Sequence, residues 1–408
     1  MNQISIVHTA DLHLGGQLTG LGPAGKRRAI EKFQLFLQLL RWMDEQKTDL
    51  FLIAGDFFEG QCDQKVWQGV QEEFRKRPDL DIFIAPGNHD YDSIDSPYRQ
   101  EGWPENVRIF TGEIRRIDLI SKKVSVFGSG FRSSFEKVAY DQSADWATLI
   151  QGPGKEDPDW INLGLFHGEV KSPGGSSVYN AIHPQNWPRD FFTYVGLGHI
   201  HKPSPILFEG KTAYAYSGAP FGSGFDETGR RGFYAGKLSP FEVNLDFIEL
   251  EPPRFYRLPV DLTGATSLLD IQMRIQQILE EKKEAEKNYY RLYLQGALNP
   301  ALQIDLQWLA ALYEDQTAYL DLWDQTYPAV DLEKEAEKST LFGAYVRGIL
   351  ARKEKLGKEA SWSGLKKEEA QRDKRDREAS LEEDREKRIL DQALTLGLKA
   401  FYEEGGFS

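Results

Sequence analysis

Five apolar, β-rich runs of this chain each end in side chains able to hold a metal ion. They are "HTADLHLG" with Asp11 and His13, "IAGDFFEG" with Asp56, "APGNHDYD" with Asn88 and His89, "LFHGEV" with His167, and "GLGHIHKP" with His199 and His201. The chain has seven histidines, and all but His8 and His183 are among these named donors. Scattered histidines have no reason to collect at strand ends beside Asp, Asn and Gly. In α/β folds the loops at the carboxyl ends of strands present side chains to one crevice. The five strand ends are therefore expected to converge on a single site.

The pattern between the motifs fits that expectation. Residues 4–10, 50–55 and 81–86 read as strands. Between them, Ile30, Phe33, Phe36, Leu40 and Met43 recur at spacings of three and four, which predicts a helix over 27–46 with one apolar face. Asp63 can cap a second helix carrying Val66, Val70 and Phe74. Alternation of strand and helix is the signature of an α/β domain. Further strands are expected at 123–130, 161–168, 194–201, 213–220, 232–238 and 243–250. The prolines at 252–253 punctuate the chain. A strand at 255–262, a helix capped by Ser267 with the stripe Leu268, Ile271, Ile275 and Ile278, a strand at 289–296 and a helix near 306–313 make a small α+β module. Beyond 331, Leu341, Phe342, Tyr345 and Ile349 sit at helical spacing. Residues 366–388 mix both charge signs with almost no apolar side chain, and 389–401 regain an amphipathic pattern. Three regions are expected: 1–250, 251–330 and 331–408.

Imidazole with carboxylate is a donor set suited to manganese, iron or zinc. Asp-x-His and His-x-His each put two donors on one side of an extended segment, because residues i and i+2 share a face. Flanking glycines allow sharp turns and close backbone approach. Each motif alone reads as a surface turn or a solvated strand; the whole set in this order does not.

Composition sets the remaining bounds. The 408 residues carry a formal net charge of −13, which argues against holding nucleic acid by bulk charge, since phosphates need Lys and Arg. The one cysteine, Cys62, rules out an intrachain disulfide. The first residues have no basic stretch of the signal-peptide kind, and no run approaches the roughly 20 apolar residues that span a bilayer. A soluble cytoplasmic protein without a membrane role is expected.

The motifs taken together resemble those of the calcineurin-like metallophosphoesterase superfamily over residues 4 to about 202. The segment "YSGAPFGSGFDE" at 216–227 resembles that of SbcD-type DNA repair exonuclease subunits, and length and tail look most like the YhaO branch. This resemblance implies an α/β fold, the calcineurin-like αββα sandwich of two central sheets flanked by helices, followed by a small α+β cap domain and C-terminal helices. It implies two divalent ions, manganese being the expected metal. Asp11, His13, Asp56 and His201 would hold one, and Asp56, Asn88, His167 and His199 the other, with Asp56 bridging. His89 would stay free of metal and face the scissile phosphate as acid or hydrogen-bond donor. A bridging hydroxide would attack phosphorus in line.

Either Asp92 or Asp90 is expected to orient the His89 imidazole; the sequence leaves the two open. Glu59 stands where some nucleases of the family carry a histidine, which leaves the balance of exonuclease and endonuclease cleavage open. Arg99, Arg132, Lys171 and Lys202 are candidates for DNA phosphates, and Tyr91, Tyr98 and Phe131 for stacking on frayed bases. The implied partners are DNA, an SbcC-like coiled-coil ABC-type ATPase docking on 331–408, and a second copy of the chain. The alternatives are a phosphodiesterase of nucleotides, a phosphoprotein phosphatase, and a regulatory binding subunit of the ATPase with a weakly active site.

Overall fold

A computed structural model describes residues 2–363 and 389–401, apart from 17, 23, 61, 138, 283, 391 and 399. The charged stretch 366–388 lies outside the described residues. The chain forms two compact units, Met1–Phe255 and Tyr256–Ser408.

In chain order the first unit begins with β1 Ile4–Thr9, β2 Leu50–Ile53, β3 Asp81–Ile84, β4 Val107–Ile109, β5 Gly112–Leu119, β6 Val124–Gly130 and β7 Ile161–His167. There follow β8 Glu169–Val170, β9 Ala181–Ile182, β10 Tyr194–Gly198, β11 Leu207–Glu209, β12 Thr212–Tyr216, β13 Gly232–Ser239 and β14 Glu242–Glu249. One six-stranded sheet has the order β14-β13-β1-β2-β3-β4, and the other β11-β12-β10-β7-β6-β5. Alternation along β1 shows how they pack. Ile4 and Ile6 point into a core shared with Val124, Val126, Leu163, Leu165 and Tyr194 of the second sheet. Val7 points the other way, to Phe36, Leu40 and Phe74 on the helices α1 Ala24–Gln46 and α2 Gln64–Arg75. The outer face of the second sheet is covered by Trp146, Trp187 and Phe192. Around it lie three single-turn helices, α3 Tyr140–Ser143, α4 Trp146–Leu149 and α5 Pro153–Glu156. The expected two-sheet sandwich with flanking helices is the architecture of this unit.

Helix α1 departs from its expected stripe. Phe36, Leu40 and Met43 are buried, but Ile30 is 62% exposed. Arg28 and Lys32 are buried in its place. The helix meets polar backbone rather than apolar side chains at that end, for a reason given below. Asp63 caps α2 as expected, its Oδ1 accepting from Lys65 N at 2.8 Å.

The second unit holds all but the first residue of β15 Phe255–Asp261, then α6 Leu268–Glu280, β16 Tyr289–Leu298, α7 Leu306–Ala311 and β17 Tyr319–Pro328. The strands form one sheet in the order β15-β16-β17. Its core joins Val260, Leu292, Leu294 and Leu322 to Ile271, Ile275 and Leu309 of the two helices. Ser267 and Asp270 form a complete capping box on α6, while Leu268, expected in the apolar stripe, is 39% exposed. Two helices follow, α8 Leu332–Glu337 and α9 Leu341–Ser363. Phe342 and Val346 of α9 are buried with Leu394 and Leu398. No helix among the described residues is long and apolar enough to cross a membrane.

Candidate metal centre

Strands β1, β2 and β3 are neighbours and parallel, as are β7 and β10. Their carboxyl ends therefore deliver Asp11 and His13, Asp56, Asn88 and His89, His167, and His199 and His201 to one edge of the sandwich. Asp11 N donates to Gly55 O at 2.9 Å and His13 N to Asp56 O at 2.9 Å, so the first loop lies along the second. The backbone is strained here: φ is +55° at Asp11, +48° at His13, +49° at Asp56 and +96° at His199. Such left-handed non-glycine positions cost on the order of 1–3 kcal/mol each and persist where the surroundings over-determine them. Gly87 is required by space, since a Cβ there would lie 2.2 Å from Asp56 Oδ1.

The hydrogen bonds assign the ring nitrogens. His13 Nδ1 lies 2.5 Å from Glu59 Oε2, and His201 Nδ1 is bonded to Glu227 Oε1. Because a carboxylate only accepts, both Nδ1 atoms carry a proton, and in the neutral ring that a metal takes the lone pair would lie on Nε2. The two Nε2 atoms lie 3.3 Å apart. Asp56 Oδ2 is 3.8 Å from His13 Nε2, and Asp11 Oδ1 is 4.0 Å from His201 Nε2. In the other half, His167 Nδ1 donates to Ala54 O at 2.9 Å, which turns its lone pair on Nε2 toward Asn88 Oδ1 at 3.0 Å and Asp56 Oδ2 at 3.5 Å. His199 Nδ1 approaches the same Asn88 oxygen at 3.1 Å. Ring nitrogens and side-chain oxygens thus converge, with Asp56 Oδ2 placed between the halves. Such a donor set fits divalent cations, and Asp11, His13, Asp56 and His201 place four ligand atoms within 4.8 Å of one another.

Titration follows from burial and partners. Burial pushes His167 below its ordinary value and His199 down to about 4, which favours the neutral ligand form. Burial also raises Asp11 well above the carboxylate range. For Asp56 burial acts the same way but is outweighed by His167, His13 and His89, so its carboxyl is held low. At Glu227 burial is again outweighed, by the bond to His201, and its pKa falls to about 2.

His89 stands apart. Its side chain is 45% exposed, and its Nδ1 lies 2.9 Å from Glu59 Oε1. That bond, working against burial, lifts its pKa to about 9. The orienting acid is therefore Glu59, a correction to the expectation of Asp90 or Asp92. Asp90 accepts from Phe57 N, Phe58 N, Gly87 N and Tyr98 Oη, and so staples the loop after β2 to the loop after β3. Asp92 takes a bidentate bond from Arg99 at 2.7 and 2.9 Å.

Other expectations for substrate contacts also change. Tyr98 and Phe131 are buried, the latter edge-on to His167 at 5.4 Å, so neither offers a face for stacking. Lys171 is paired with Glu169 at 2.9 Å. Arg132 and Lys202 are exposed and Tyr91 is half-buried. Glu227 and Lys32 were not singled out by sequence. Their only signal was an acid in the 216–227 segment and a charged residue within the helix over 27–46.

Residues 4–203 match the family model described as calcineurin-like phosphoesterase, a span that contains every histidine and carboxylate placed in the centre from Asp11 to His201. The chain is 22% identical over 308 residues to an uncharacterized metallophosphoesterase, YhaO, of Bacillus subtilis (strain 168), covering 72% of each. Among solved structures, TT1561 of Thermus thermophilus aligns with a TM-score of 0.36 at 11% identity, over 58% of this chain and 99% of that one. Purple acid phosphatase PPD1 from yellow lupin seeds aligns at 0.34 and 13%, over 59% and 50%.

Proposed function

We propose that residues 4–203, which match the calcineurin-like phosphoesterase model, form a metallophosphoesterase domain, and that the chain is a phosphodiesterase acting on DNA ends with two divalent ions, manganese the expected metal. The observation that carries the reading is His89, exposed beside the buried donor cluster and held by Glu59. Asp11, His13 and His201 would hold one ion, Asn88, His167 and His199 the other, and Asp56 both. When bound, such ions neutralise a phosphodiester and lower the pKa of water at the site. The chain's own part is then defined. Glu59 holds His89 through Nδ1, so Nε2 is the nitrogen left for substrate. His89 passes its proton from Nε2 to the departing sugar oxygen as the P–O bond breaks. Arg132 and Lys202 are exposed cations that would pair with flanking phosphates.

A DNA substrate is supported by the likeness of the 216–227 segment to SbcD-type subunits and by the α+β unit that follows the catalytic one. Docking of a coiled-coil ABC-type ATPase on 331–408 belongs to the same reading. Leu341 of α9 is 72% exposed and Leu396 is 68% exposed, apolar surface that a partner would cover. The test is a manganese-dependent assay of end-labelled linear DNA against a cyclic nucleotide and a phosphoprotein. Release of nucleotides from DNA ends, abolished by His89→Ala, is expected. Faster turnover of either other substrate would overturn the assignment of DNA.

A further inference from the structure

Helix α1 buries two cations that the chemistry above does not use. Arg28, fully buried, donates through Nη2 to the carbonyls of Phe221 and Gly222, the latter at 3.0 Å. One turn on, Lys32 Nζ donates to Ser223 Oγ at 2.9 Å and to His13 O at 3.0 Å. Both side chains thus grip the segment after β12, and Lys32 also grips the loop after β1. The segment returns the contact to the centre. Ser223 N donates to Glu227 Oε2 at 2.6 Å, and the other oxygen of Glu227 is the acceptor for His201 Nδ1. Arg231 completes the frame from behind, its Nη1 donating to His201 O at 3.0 Å.

The network runs without a break from His13 through Lys32, Ser223 and Glu227 to His201. It touches two ligands of one half of the centre and none of the other. His167 is held instead by the carbonyl of Ala54, and its own carbonyl accepts from Asn180 Nδ2 at 2.8 Å. Nothing in α1 or in 221–227 contacts Asn88, His167 or His199 among the described hydrogen bonds. Partners of this kind fix the ring and tautomer of a metal-binding histidine, and losing one costs about 10–100-fold in metal affinity.

We infer that Lys32 and Glu227 are positioning residues for one ion only, the ion held by Asp11, His13, Asp56 and His201. The inference rests on the metal-centre reading and adds a selectivity which that reading does not contain. It also explains the buried charges of α1. Two cations in a helix face cost desolvation unless bonded, and here Arg28 has two carbonyl acceptors and Lys32 a hydroxyl and a carbonyl.

The test measures ions per chain and their dissociation constants by mass spectrometry and calorimetry with manganese, on the full chain. Thermal melting checks that each variant folds. Wild type should bind two ions. Glu227→Gln should keep one at wild-type affinity and bind the other about 10–100-fold more weakly. Lys32→Met should shift the same ion by less. Should it not fold, Ser223→Ala removes one of its two acceptor bonds and serves in its place. Combined with His199→Ala, which strikes the other half, Glu227→Gln should leave no ion bound at a concentration where each change alone leaves one. Two ions at wild-type affinity in Glu227→Gln would overturn the inference, as would equal weakening of both ions. A wild-type chain that binds no manganese would overturn the metal centre itself, a distinct result from either.

Discussion

The two halves of the candidate metal centre each carry a pair of histidines but anchor them in different ways. His13 and His201 give their Nδ1 protons to side-chain carboxylates, Glu59 and Glu227. His167 gives its proton to a backbone carbonyl, Ala54 O, at the end of the neighbouring sheet. A backbone partner is present whenever the strands form, whatever the local side chains are. A carboxylate partner depends on one residue in one loop. The first half is therefore the part of the site that substitution can tune, and the second is fixed by the fold. Charged partners also bond more strongly than neutral ones, so the tunable half is the one in which a single change does most.

Asp56, whose Oδ2 lies near imidazoles of both halves, is shared between them. Asp56→Ala should empty both, with manganese content and turnover falling together to background; a variant that still holds two ions would remove the bridging role. Next in size is His89→Ala. Turnover should fall by about 10²–10⁴-fold while two ions stay bound, and parallel loss of metal would make His89 a ligand instead. Glu59→Gln cuts across the comparison because its carboxylate serves both His13 and His89. A loss of about 10–100-fold is expected in the affinity of one ion, together with slower turnover of substrates that have poor leaving groups. If only metal binding changed, Glu59 would have no part in proton transfer.

The smallest effect concerns a histidine outside both halves. His8 is fully buried between the sheets, with Nδ1 2.9 Å from Tyr194 Oη, and burial lowers its pKa to about 3. The unfolded chain would bind a proton near 6.5 that the folded chain refuses. Stability is therefore complete above pH 6.5 and is lost as pH falls toward 3. Between pH 7 and 5 the loss from this residue is about 2 kcal/mol. Urea unfolding at the two values should show a loss smaller by about that amount in His8→Gln than in the wild type. Equal pH dependence in both would mean that His8 is charged in the folded protein.

Reading the sequence alone reached the centre but not its supports. The donors were legible because each closes an apolar run, and parallel strands bring such ends together. Glu59 was visible as a departure from a family pattern, yet its role depends on His13 and His89 arriving on either side of it from other strands. Asp90 and Asp92 were nearer to His89 in sequence and turned out to face backbone amides and Arg99. Lys32 and Ile30 show the limit of periodicity. The helix was correctly placed, but its first turns meet the carbonyls of a segment almost two hundred residues on, and that face takes cations. Strand β17 was missed because "YLDLWDQTYP" alternates apolar and polar residues only weakly and follows a run read as helix.

The pairing of β1 has a consequence for how the protein is made. That strand lies between β2 and β13, with Ile6 beside Leu50 on one side and Ile4 beside Leu238 on the other. A ribosome adding about 5–20 residues per second needs on the order of ten seconds or more to reach the second partner. Until then one edge of β1 is an open template for wrong pairing, and the loop that carries Asp11 and His13 has no finished sheet to rest on. Chains stopped before residue 232 should aggregate, and the ligands translated first should be among the last to reach their final places.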